Sequence, residues 1–208
     1  MLTLWGRTTS SNVMKVLSTL DELGLAYERI DAGGPYGRTN EPEYRAMNPL
    51  GVVPTLVDNG FSVFESNVVI RYLCNAHAPN SPLYPAAAAP RATVESWMDF
   101  QQTALGRPQT VLFQGLIRTA PDQRDMTAIA AAVVEAGRIW GIIDARLAAH
   151  PFIVGEDLTL ADIAFGPHVH RWLNMAFDGR PELPHLTAWY QRLLARPAYA
   201  THCAIAIT

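Results

Sequence analysis

The sequence predicts a small α/β unit followed by an all-helical bundle. Three observations carry that expectation. Strand-like and helix-like patterns alternate as far as residue 77; four prolines then fall within the thirteen residues 78 to 90; beyond them apolar residues recur only at helical spacing.

The elements follow in order. Leu2, Leu4 and Trp5 open a strand that stops at Gly6. Val13, Val16, Leu17, Leu20 and Leu23 share a helical face, and Gly24 is a natural stop. Tyr27 to Ile30 reads as a second strand, and Glu41 to Met47 as a short helix after the loop Gly33-Gly34-Pro35. Pro54 to Val57 and Phe61 to Phe64 form a hairpin pattern around Asp58-Asn59-Gly60. Ser66 to Asn75 closes the unit as a helix, giving the order βαβαββα with a mixed sheet. The aperiodic, proline-rich 78–90 reads as a linker. Residues 91–118, 123–149, 160–176 and 184–195 read as helices, with Pro108, Pro121, Pro151, Pro181 and Pro184 as punctuation. The expected plan is a domain over 1–77, a linker over 78–90 and a helical domain over 91–208.

Composition narrows the function classes. Of 208 residues 49% are apolar, enough for a buried core and too many for a disordered chain. The net charge of −3 and scattered basic residues argue against a nucleic-acid surface. Cys74 and Cys203 are far apart and form no CxxC pair, which argues against a disulfide scaffold, a zinc site and a dithiol redox centre, and fits a reducing cytoplasm. The opening residues lack a signal-peptide pattern, and charge or proline interrupts each apolar stretch, so neither export nor membrane insertion is expected.

Three short stretches carry chemistry. Thr8-Thr9-Ser10-Ser11-Asn12 joins the first strand to its helix. Its plain reading is an N-cap, worth about 1 kcal/mol. Its functional reading is a hydroxyl that donates to a thiolate held at the helix N-terminus, where dipole and hydrogen bond both favour the anion. In Asn48-Pro49-Leu50-Gly51-Val52-Val53-Pro54, a cis Val53-Pro54 bond would leave the Val53 N–H and C=O free to pair with a peptide-like ligand as an added strand. In Phe64-Glu65-Ser66-Asn67, the Ser66 hydroxyl and helix-start N–H groups would receive a carboxylate while Glu65 holds an ammonium. Each of the last two also has a plain reading, as a proline-bounded loop and as a helix cap. Together the three describe a pocket for an extended peptide with an α-amino-acid head at one end and sulfur at the other, which is glutathione.

With these residues the chain resembles the glutathione S-transferase family over essentially its whole length. MLTLWGRTTSSNVMKVLSTLDELGLAYE is similar to the family's first strand and helix, and MNPLGVVPTLVDNGFSVFESNVVIRYL to its cis-proline and Glu-Ser core. FIVGEDLTLADIAFGP is similar to the segment where a staple and capping box start a helix, with Thr159 and Asp162 as the box. The WGR opening and GLIRT stretch resemble a bacterial, GstB-like, theta-like group. The resemblance implies a thioredoxin-like N-terminal domain and a catalytic serine after the first strand. Ungapped comparison through ELGLAYE places that hydroxyl on Ser10, with Ser11 next. Tyrosine- and cysteine-based classes have no counterpart, since no Tyr precedes Tyr27 and no Cys lies near Ser10.

The resemblance also implies a cytoplasmic homodimer active in detoxification. Glutathione is then a co-substrate rather than a cofactor, and Val53, Pro54, Glu65 and Ser66 hold it. Arg7, Arg107 and Arg118 are candidates for a basic pocket that takes a small, anionic electrophile such as a haloacid. Surface arginine is the alternative, and the chain departs from the group in having Thr110 near the place of an arginine. Two other readings share the fold: a glutathione-dependent peroxidase or disulfide reductase, and a ligand-binding protein without catalysis. Arg71 and Asn75 lie on the polar side of a helix that could face a second chain. His168 and His170, two apart on a helix, point to different faces, so no metal is expected. Cys74 reads as packing, Cys203 as tail, and Trp97, Phe100, Trp140 and Trp189 as core aromatics.

Overall fold

The computed structural model describes residues 1–208. Strands β1 (Leu2–Trp5), β2 (Tyr27–Ile30), β3 (Thr55–Asp58) and β4 (Phe61–Phe64) form one sheet in the order β2-β1-β3-β4. β2 runs parallel to β1 with Tyr27 opposite Leu2, and β3 runs antiparallel to β1 with Leu56 opposite Leu4. Asn59 and Gly60 turn the chain into β4 with φ of 48° and 91°, the two positive values that a two-residue hairpin turn requires. β3 starts at Thr55 rather than Pro54, which has no N–H to give a ladder.

Helices α1 (Ser11–Glu22), α2 (Pro42–Met47) and α3 (Ser66–His77) complete this half. α1 is buried all round, because α3 packs on one side of it and helices of the second half on the other. That second half comprises α4 (Ala88–Phe100), α5 (Gly106–Phe113), α6 (Met126–Leu147), α7 (Leu160–Asn174), α8 (Pro184–Leu194) and α9 (Pro197–His202). α4 begins inside the proline-rich stretch, since Pro90 falls in its first turn, where a missing N–H is not needed. Two π-helical turns, Gln101–Leu105 and Gln114–Arg118, flank α5, and in the first the Gly106 amide reaches back five residues to the Gln101 carbonyl. Pro108 is thereby accommodated without breaking the run.

By length and composition α6 would be able to cross a bilayer, contrary to the expectation that no stretch qualifies. Here it is the central bundle helix, with Ile139, Trp140 and Ile143 buried and an Arg138–Glu135 pair on its outer face. Thr159 and Asp162 form the expected capping box at the start of α7, and the Asp162 carboxylate also accepts from Ile153 N at 2.9 Å and Trp189 Nε1 at 3.0 Å. Trp140 and Trp189 are fully buried, whereas Trp97 and Phe100 are half-buried. Cys203, expected in the tail, is buried with its sulfur 3.3 Å from Ser18 Oγ. Arg71, offered above as a surface for a second chain, pairs with Asp99 of its own chain. One cluster of 47 buried residues runs through both halves, so the halves share a core instead of meeting at a hinge.

Candidate active site

Ser10 is the N-cap residue of α1, with extended backbone at φ −83° and ψ 122°, yet its side chain makes no capping hydrogen bond. The first intrahelical bond runs from Met14 N to Ser10 O, so the amides of Ser11, Asn12 and Val13 are left unpaired at the helix start. An anion placed there meets the positive end of the helix and two free hydroxyls.

The cis Val53-Pro54 bond is present. Tyr44 Oη donates to Val52 O at 2.7 Å, and Asn48 Nδ2 to the same oxygen at 2.9 Å. Thr55 Oγ1 closes this buried network, donating to Tyr44 Oη at 2.8 Å and accepting from Asn48 at 3.0 Å. Because Val52 C=O and Val53 N–H lie trans across one planar peptide, tying the carbonyl inward turns the amide outward. Neither the N–H nor the C=O of Val53 hydrogen-bonds within the protein, which leaves a short strand edge open to a ligand.

Glu65 precedes α3 with φ +66°, a left-handed conformation that is uncommon outside glycine and clusters at functional sites. Its carboxylate is exposed and accepts from Gln102 Nε2 at 3.4 Å. Ser66 is buried and donates to Asn12 Oδ1 at 3.2 Å, which joins the starts of α3 and α1. Val69 N to Glu65 O is the first helical bond, so α3 also begins with free amides.

Ser10 and Ser11 line a cavity of about 170 Å³ together with Arg7, Gln109, Thr110, Phe113, Gln114, His168 and Arg171. Such a volume is small beside the roughly 300–1,000 Å³ of pockets for drug-sized ligands, which suits a compact reactant. Arg7 lies against Gly33 and Gly34, where an added Cβ would stand 3.0 Å and 3.2 Å from its guanidinium; both glycines also have positive φ. Arg118 is exposed, and its guanidinium lies 5.3 Å from the Phe113 ring centre. Arg107 is exposed and lies outside the cavity. Neither Arg107 nor Arg118 is among the residues that line the cavity, and the π turn at Gln114–Arg118 shifts the helical phase between two positions that an unbroken helix would place on one face.

Arg171 of α7, which was not among the candidates, does line the cavity. It stacks 3.9 Å over Phe113 and donates to Thr9 O at 3.2 Å, beside Ser10. Burial, then the charges of Arg118 and Arg7, pull its pKa down to about 10. Burial and Arg118 lower that of Arg7 as well. No carboxylate side chain pairs with Arg7 or Arg171, so the cavity wall carries two cations without an acidic side-chain partner, while Arg118 donates to Thr208 O at 3.0 Å.

Beneath it lies a buried polar chain that the sequence did not reveal. Lys15 Nζ donates to Gln101 Oε1 at 2.8 Å and to Asn67 Oδ1 at 3.3 Å. Gln101 Nε2 meets His168 Nε2 at 3.1 Å. Burial holds the Lys15 pKa down at about 7 and lowers that of His168 well below the usual histidine range. His170 faces elsewhere, toward Tyr190 Oη at 2.8 Å and Ile205 O at 2.9 Å. One clue to α7 was available: His168 and Arg171 are three apart, on one face of a helix whose neighbouring residues are apolar.

Comparison with known proteins shows what the chain as a whole is similar to. A family model for the glutathione S-transferase N-terminal domain matches residues 4–81, and one for the C-terminal domain matches residues 126–192. Glutathione S-transferase GstB of Escherichia coli K12 is 40% identical over 200 residues, 95% of each chain. Glutathione S-transferase 3 of Zea mays is 30% identical over 95% of this chain and 91% of its own. The crystal structure of a theta class glutathione S-transferase from Xanthomonas axonopodis pv. citri, with glutathione bound, superposes with a TM-score of 0.94 at 43% identity, covering 100% of this chain and 99% of that one.

Proposed function

This chain belongs to the glutathione S-transferase family and is a glutathione transferase, and on that premise we propose that Ser10 activates the glutathione thiol for attack on a small electrophile that carries or develops negative charge. The observation that carries this reading is the free Ser10 hydroxyl at the unpaired start of α1, on the wall of the arginine-lined cavity. A free thiol has a pKa of about 8.5, and lowering it by about two units takes roughly 2.7 kcal/mol of preference for the thiolate. A hydroxyl donor and a helix N-terminus together can supply that much.

Recognition of glutathione falls to other groups. The open Val53 edge pairs with the peptide backbone, Pro54 fixes that edge, and the α3 amides take the γ-glutamyl carboxylate beside Glu65, joined by the Ser66 hydroxyl as it turns from Asn12 Oδ1 to the ligand. Arg7 and Arg171 face the electrophile, with Arg118 adding to the field. Arg107 stands outside the cavity and receives no part in it. The chain acts as a cytoplasmic homodimer, in keeping with two buried, reduced cysteines and with its family.

Replacing Ser10 by Ala tests the proposal. The thiolate absorbance of bound glutathione should titrate at higher pH and turnover at neutral pH should fall, while glutathione affinity changes far less. Because Ser10 makes no side-chain capping bond, the stability loss should stay below the roughly 1 kcal/mol of a true cap. An unmoved titration in Ser10→Ala with a moved one in Ser11→Ala assigns the role to Ser11. If neither moves, the hydroxyl mechanism is refuted.

A further inference from the structure

The polar chain below the cavity ends in two groups with nothing to bind. Gln101 gives its Oε1 to Lys15, so its amide NH₂ is the part that meets His168 Nε2. That ring nitrogen is therefore the acceptor, and in the neutral imidazole the proton sits on Nδ1. His168 is 7% exposed, lines the cavity, and its Nδ1 has no partner. Gln109 is 3% exposed, lines the same cavity, and gives its amide NH₂ to His168 O at 3.4 Å while its Oε1 has no partner.

A buried donor or acceptor without a partner costs about 1–3 kcal/mol, so three in residues that line one cavity, Arg7 Nε being the third, call for an explanation. With the Arg7 guanidinium left to an anion, the remaining donor and acceptor on this cavity are the complement of a carboxamide, which offers a C=O and an N–H from a single group.

We propose that the His168 and Gln109 side chains turn so that Nδ1–H and Oε1, both covered in this structure, bind a carboxamide attached to the reacting carbon of the electrophile. This rests on the transferase reading above and names the substrate class at the same site. In the step itself, the thiolate sulfur forms a bond to the carbon bearing a halogen as the carbon–halogen bond breaks. The halide leaves with the electron pair, and the thiol proton has already passed to solvent. As the new bond forms, the neighbouring carbonyl oxygen gains negative charge, and the turned His168 N–H lies where that charge develops. The arginines attract the departing anion, which is a separate interaction.

The test compares 2-bromoacetamide with benzyl bromide, which has no hydrogen-bonding group next to its reacting carbon, in wild type, His168→Phe and Gln109→Met. In each variant kcat/KM for the amide should fall at least tenfold further than for the benzylic halide, within the range that losing one buried hydrogen bond costs. A glutathione-induced rise in Tm verifies the fold of each variant, and Gln109→Met decides if His168→Phe does not fold. Equal losses on both electrophiles would mean that the pair is framework, and would overturn this proposal while leaving the transferase reading intact. Wild type that transfers glutathione to neither electrophile would overturn the substrate assignment and the transferase reading together.

Discussion

Lys15 makes the stability of this protein depend on pH in a direction that can be worked out. Its pKa falls from the ordinary 10.5 to about 7 in the folded chain, because burial penalises the ammonium more than the negative charge of Glu65 supports it. Between those values the unfolded chain holds a proton that the folded chain has shed, so stability rises with pH. From about pH 7 to about pH 8.5 the expected gain is about 1.5 kcal/mol. Above that window the buried thiols of Cys74 and Cys203, both pushed up to about 12, act in the opposite sense, since the unfolded chain loses their protons first. In Lys15→Met the gain should vanish. The level at neutral pH is a poorer readout than the slope. Below pH 7 the variant is relieved of a charge penalty of about 5 kcal/mol. Against that, it strands Gln101 Oε1 and Asn67 Oδ1 at about 1–3 kcal/mol each. Urea unfolding at fixed protein concentration and at both pH values measures the slope. Wild-type stability that is flat across the window, or an equal slope in the variant, would refute the reasoning.

Other expectations follow from the same geometry. Asn48→Ala removes the donor to Val52 O and Thr55 Oγ1 and the acceptor for Leu50 N, all around a fully buried side chain. It should cost about 2–4 kcal/mol of stability and weaken glutathione binding by calorimetry, because the Val53 amide loses its fixed direction. Unchanged affinity in a folded variant would count against the strand-edge mode. Arg171→Met should lower kcat/KM for a 2-halo carboxylic acid more than for benzyl bromide, and should flatten the salt dependence of the former. An equal drop would show that the cation does not read charge. Light scattering should give twice the mass of one 22.9 kDa chain, and a single-chain mass would exclude the homodimer.

What the sequence disclosed depended on how local the determinant was. The Asn59-Gly60 turn, the cis Val53-Pro54 bond and the Thr159–Asp162 box are encoded within a few neighbouring residues, and each was legible. The start of α4 was misplaced because Pro90 reads as a breaker unless it is known to lie in a first turn. α9 was missed because six residues give no periodicity to read. Arg107 and Arg118 are eleven residues apart, close to three turns of a straight helix. Spacing along a helix predicts a shared face only at constant pitch, and the π turn below Arg118 changes that pitch. Arg171, Lys15, Gln101 and His168 come from three separate segments and acquire meaning only when α1, the turn after α4 and α7 are brought together.

That convergence bears on how such chains can be recombined. A chimera that joins residues 1–77 of one relative to the helical half of another looks safe, since the break falls in a proline-rich stretch. The graft would nevertheless cut through Lys15–Gln101 and Asn67–Met98, hydrogen bonds that cross the junction inside the core. A donor half carrying lysine at this place in α1 would bring a buried cation to a recipient lacking the glutamine that receives it. Positions 15, 67, 101 and 168 are linked by hydrogen bonds, and a successful exchange should move them together.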